Sequence, residues 1–133
     1  MQTILFAYRV SDLDRSLAFY RTVGYSELGT VPLDDGSSLV WLKLTGEKSV
    51  PLELVHRPAD GKVEIGGFEH VAIAVDSLRD TINRLSEAGL EPGAEEFPAG
   101  PEGPKTSWLT DPDGYRIELV EWPAGGPPVF DPS

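Results

Sequence analysis

Two carboxylates and one imidazole are the side chains in this sequence whose types and spacing point to chemistry. Glu53 stands in the run Leu52-Glu53-Leu54-Val55 and Glu118 in Ile117-Glu118-Leu119-Val120, so each acid alternates with apolar neighbours. Neighbours along a strand point to opposite faces, which sets both carboxylates on the face away from the apolar residues. One such Glu alone reads as a solvated side chain on a half-buried strand. These two are related by a constant offset of 65 residues, and His70 opens the second half of the chain. One imidazole with two carboxylates is a ligand set for a borderline divalent ion such as Zn, Ni, Co or Mn. His56 has the parity opposite to Glu53 and is read as a packed residue.

The offset is a property of the whole chain. Val10-Ser11-Asp12-Leu13 resembles Val75-Asp76-Ser77-Leu78, Leu13, Leu17 and Tyr20 fall onto Leu78, Ile82 and Leu85, and Gly24 falls onto Gly89. A repeat of this kind predicts two copies of one supersecondary unit. Residues 3–10 and 68–75 read as short apolar strands. Asp12 and Asp76 are the expected N-caps, and the i, i+4, i+7 apolar spacing marks one buried helical face in each copy. Gly24 and Gly89 suit helix ends. Further strands are expected at 25–30, 38–44 and 50–56, then weakly near 91–97, and at 106–110 and 115–121. Tight turns are expected at Asp34-Asp35-Gly36 and Asp111-Pro112-Asp113-Gly114. The plan is therefore α+β, with a first βαβββ module over 1–57, a linker over 58–67, a second module over 68–122 and a Pro/Gly-rich tail over 123–133. A U-shaped, mostly antiparallel sheet around a central cleft would bring the positions of Glu53 and Glu118 towards one centre. Phe6, Tyr8, Trp41, Phe97 and Trp108 could line a ligand pocket, but aromatic residues on strands are more often core than recognition surface, and they are left out of the site.

Composition narrows the partners. Eleven basic residues stand against 22 acidic ones, a net charge of -11, which repels nucleic-acid backbones and anionic membrane surfaces. With no Cys, disulfides, thiolate metal sites and a cysteine nucleophile are excluded. No stretch reaches the ~20 apolar residues of a membrane helix and no basic leader precedes one, so a cytoplasmic protein acting on a small molecule is expected.

Three segments, Arg9 to Tyr20, Glu69-His70-Val71-Ala72-Ile73-Ala74-Val75 and Asp111-Pro112-Asp113-Gly114-Tyr115-Arg116-Ile117-Glu118-Leu119, resemble the vicinal-oxygen-chelate superfamily and within it glyoxalase I. That resemblance implies metal ligands at position 5, Glu53, His70 and Glu118, with Glu53 or Glu118 moving a proton and Arg9 helping to hold a carboxylate of the thiol substrate. It implies a divalent ion (Ni, Co, Zn or Mn) acting as a Lewis acid on the adjacent oxygens of a 2-oxoaldehyde–thiol hemithioacetal. It also implies a homodimer. Position 5 departs from the pattern, because Leu5 cannot ligate a metal. The alternative that gains from Leu5 is a metal-free small-ligand or drug-binding protein of the bleomycin-resistance type.

Overall fold

The computed structural model describes residues 5–48 and 52–124. Its order is β1 (Phe6–Val10), α1 (Leu13–Val23), β2 (Tyr25–Pro32), β3 (Ser38–Leu44), β4 (Leu52–His56), a 3-10 turn (Pro58–Asp60), β5 (Val71–Ala74), α2 (Leu78–Glu87), β6 (Lys105–Thr110) and β7 (Arg116–Glu121). The α+β plan with two tandem modules is thus present. Its strands divide into two hydrogen-bonded sheets, β1-β4-β3-β2 and β5-β7-β6. Each sheet is mixed, because the first strand of each module runs parallel to its last. The described residues separate into two compact units, one within 5–67 with 112–114 and the other within 68–111 with 115–124. Segment 58–67, expected as a plain linker, belongs to the first unit. Val63 within it is buried, and its N–H donates to Ser11 Oγ at 2.7 Å.

In the first unit, α1 begins at Asp12, whose carboxylate accepts from Arg15 N at 3.1 Å, and ends at Gly24, where φ is 135°. Leu17, Phe19, Tyr20 and Val23 are buried on one side of it. The β-sheet supplies Tyr8, Val10, Val40, Leu42, Leu52 and Leu54 to the core. The Tyr8 and Tyr20 hydroxyls meet at 2.5 Å, so neither phenol enters the core without a polar partner.

Tyr25, packed edge-on to Tyr20, tests this core by pH. Burial, with the Glu47 carboxylate adding to it, pushes its phenol up to about 12, whereas an unfolded tyrosine ionises near ~10. Above pH ~10 the unfolded chain loses a proton that the folded chain keeps, so stability falls as pH rises towards 12. For this one group the slope is about 1.4 kcal/mol per pH unit. Urea unfolding between pH 9 and 12 should show that fall, and Tyr25→Phe should lessen it. Equal slopes for the two proteins would refute the assignment.

The second unit departs from expectation in two places. The N-cap of α2 is Ser77, whose side chain accepts from Asp80 N at 3.2 Å, and not Asp76. The repeat itself placed it there, since 65 residues beyond Asp12 is Ser77. Glu121 adds a second cap, accepting from Leu78 N at 2.9 Å. That bond, assisted by Lys105 at 3.4 Å, holds the Glu121 carboxyl below its usual range. The strand expected near 91–97 is reduced to one bridge, Glu96 with Thr106, and a bond from Gly93 N to Trp108 O at 2.8 Å. Pro92 and Pro98 have no N–H to donate, and a longer ladder cannot form through them. Leu78, Leu85, Ile117 and Leu119 fill this unit's core. No helix among the described residues is long and apolar enough to cross a membrane.

Candidate functional site

Register places the two acids identically. Glu53 lies in β4 opposite Ala7 of β1 and Trp41 of β3. Glu118 lies in β7 opposite Ala72 of β5 and Trp108 of β6. In both strands the flanking leucines and isoleucine are buried, 3% exposed or less, so each carboxylate leaves the face away from its own core. Leu5 stands one residue before β1 and His70 one residue before β5, rather than within it. The pairs 5 with 70 and 53 with 118 therefore occupy matching places in their own sheets.

The two copies differ in what surrounds the acid. In the first unit the indole N–H of Trp41 donates to Glu53 Oε2 at 2.6 Å, a charge-assisted bond that fixes the carboxylate. Arg9, on the same strand face as Ala7, is half-buried with its guanidinium 3.3 Å from Asp60. His56 lies on the other parity. It lines a groove of about 350 Å³ with Ser11, Asp12, Leu13 and Asp14 at the start of α1.

In the second unit Trp108 has other partners. Its ring crosses from β6 over the central strand β7 and meets the His70 ring edge-to-face, 5.0 Å between centroids. The Arg116 guanidinium lies 4.0 Å over the same indole. His70, Trp108, Arg116 and Glu118 share one sheet face, because positions 70, 72, 116 and 118 have one parity and Trp108 opposes Glu118. His70 Nδ1 is buried and has no hydrogen-bond partner; the exposed Glu69 carboxylate is 3.7 Å away.

Among the described residues no three His, Asp or Glu side chains stand close enough together to hold a metal ion. The donors that are placed are His70 and Glu118 on one face of the second sheet, and Glu53 on the corresponding face of the first. Their chemistry fits a divalent ion: an imidazole with an orphaned nitrogen and hard carboxylates are the ligand types such ions take.

Of the five aromatics read as core, Tyr8 is buried, whereas Phe6 and Phe97 are exposed and Trp41 and Trp108 stand on the sheet faces of the acids. Trp41 is 38% exposed. Parity along β3 and β6 carried the signal, since Val40 and Leu42 flank Trp41 and are fully buried. It was masked because Trp108 follows Trp41 by 67 residues whereas Glu118 follows Glu53 by 65. The second hairpin is shorter by two residues.

Comparison with known proteins gives a consistent result. The sequence model of the Glyoxalase/Bleomycin resistance protein/Dioxygenase superfamily matches residues 4–119. A lactoylglutathione lyase of Haemophilus influenzae is 33% identical over 125 residues, covering 91% of this chain and 93% of the relative. The structure of Leishmania major glyoxalase I, described as trypanothione-dependent, aligns with TM-score 0.75 and 26% identity over 91% of this chain and 86% of that one. TnmS3, an antibiotic-binding protein from Streptomyces sp. CB03234, shares the fold at TM-score 0.69 and 24% identity, over 92% and 96% of the two chains.

Proposed function

This chain belongs to the Glyoxalase/Bleomycin resistance protein/Dioxygenase superfamily and is lactoylglutathione-lyase-like; from that premise we propose a metal-dependent lyase or isomerase acting on a 2-oxoaldehyde–thiol hemithioacetal. The observation that carries the reading is the duplicated acid, Glu53 and Glu118 in one register on matching strands, with His70 beside the second. We propose Glu53, His70 and Glu118 as ligands of a divalent ion, Ni, Co, Zn or Mn, which would have to draw them together, since among the described residues no three such side chains stand within reach of one ion. When bound, such an ion supplies Lewis-acid polarisation of the substrate's adjacent oxygens.

The protein's own groups divide the remaining work. Glu53 is fixed by the Trp41 N–H, which suits a static orienting role. Glu118 is the better base: it must come within about 3 Å of the substrate C–H, take the proton and return it to the neighbouring carbon. The Trp108 indole, packed against His70, stands beside it and would keep water from the reacting carbon. Arg9 is proposed to assist with a substrate carboxylate from its place beside Asp60. Among the described residues the outer strands β1, β2 and β5 have no ladder on their second edge within their own unit, which supports the homodimer that belongs to this proposal together with a cytoplasmic setting.

The test is calorimetric titration of metal-stripped, untagged protein with each of the four ions, followed by assay with methylglyoxal and glutathione. One ion bound per chain, with turnover restored by it, is expected. A protein that binds none and turns over none, yet is stabilised by an aromatic or drug-like ligand, would replace this reading with the metal-free binding protein.

A further inference from the structure

Arg116 is a cation seated on an aromatic ring. Acidic residues outnumber basic ones two to one, and Arg9, Arg21 and Lys105 each face a carboxylate. Among the described residues, Arg116 faces none within 4 Å, and its guanidinium lies instead on the Trp108 ring at 4.0 Å. Stacking occupies only the flat face of a guanidinium. Its five N–H donors lie in the plane and remain available around the rim, in the fork that matches a carboxylate. The stack also fixes the long side chain, removing entropy that a free arginine would lose on binding. Its position is specific: Arg116 is two residues before Glu118 on one face of β7, and the indole beneath it touches His70.

We infer that Arg116 is a substrate-binding residue that receives a carboxylate of the thiol half of the substrate, and so makes the protein selective for acidic thiol adducts. The inference rests on the reading that the His70–Glu118 face takes the substrate. It needs no metal geometry. A carboxylate held at the Arg116 rim lies alongside the base, so the anchor would act on substrate affinity and orientation rather than on the proton transfer.

Direct binding separates this inference from the lyase reading. The probes are 3-(methylthio)propanoate and its amide, titrated calorimetrically into the full-length protein, into Arg116→Gln and into Arg116→Lys. The acid should bind the wild type at least tenfold more tightly than the amide. In Arg116→Gln that ratio should fall close to one, and Arg116→Lys should retain part of it, since a point charge lacks the bidentate fork. In turnover, the ratio of kcat/KM for methylglyoxal adducts of 3-mercaptopropionate over those of 2-mercaptoethanol should fall at least tenfold in Arg116→Gln, chiefly through KM. No preference for the acid in the wild type, or a preference that survives Arg116→Gln, overturns the anchor even if the lyase is active. An acid preference lost in Arg116→Gln in a protein that turns over nothing upholds the anchor and removes the lyase.

Discussion

Glu118→Gln should lower kcat for the methylglyoxal–glutathione adduct by about 10²–10⁴-fold, the usual worth of a positioned general base. The amide keeps the shape and most of the polarity of the acid but cannot take a proton. Glu118 is half-buried on the face opposite the core, so the substitution should leave the melting temperature within a degree or two; surface changes of this type cost about ±0.5 kcal/mol. Exchange of the substrate C–H with solvent deuterium should fall in step with kcat. Trp41→Phe offers the contrast. It frees Glu53 from the 2.6 Å bond and should reduce kcat far less, because a carboxylate remains at both positions. Retention of kcat within a few-fold in Glu118→Gln would show that the proton is moved by another group, and Glu53→Gln is then the variant to examine.

The largest stability effect should come from Leu54→Ala. Leu54 is 0% exposed in β4, paired with Tyr8 on one side and Val40 on the other, and β1 and β3 flank it in the sheet. Loss of its buried branch removes transfer free energy and leaves a cavity, together about 2–5 kcal/mol. Against a total of roughly 5–15 kcal/mol for a domain, that is enough to shift urea unfolding to much lower denaturant. Leu119, its counterpart 65 residues on, is 1% exposed between Ile73 and Ser107, and Leu119→Ala should fall in the same range. Leu28, 48% exposed, is the control, and its alanine variant should stay within ~0.5 kcal/mol. A loss below 1 kcal/mol for Leu54→Ala would mean that the first core is not packed as the register requires.

The sequence by itself determined the repeat, the two helices with their buried faces, most of the strands and the equivalence of Glu53 with Glu118. These are local or periodic properties. A strand's side-chain parity and a helix's apolar stripe are set by backbone geometry with repeats of 2 and 3.6 residues, and so are visible in a string of letters. The cap at Ser77 was legible too, had the offset been followed rather than the preference for Asp. The weak strand near 91–97 failed because Pro92 and Pro98 outweigh the apolar pattern around them. Tertiary structure decided the rest. Trp41 reaches Glu53 across one strand boundary, Trp108 reaches His70 across two, Arg116 stacks on that ring, and Arg9 turns to Asp60. Each of these contacts depends on which strands lie side by side, in what register, and along which rotamer a long side chain leaves its backbone. Two equivalent tryptophans can therefore do different work: one has a carboxylate within reach of its N–H, and the other has an imidazole and a guanidinium against its ring.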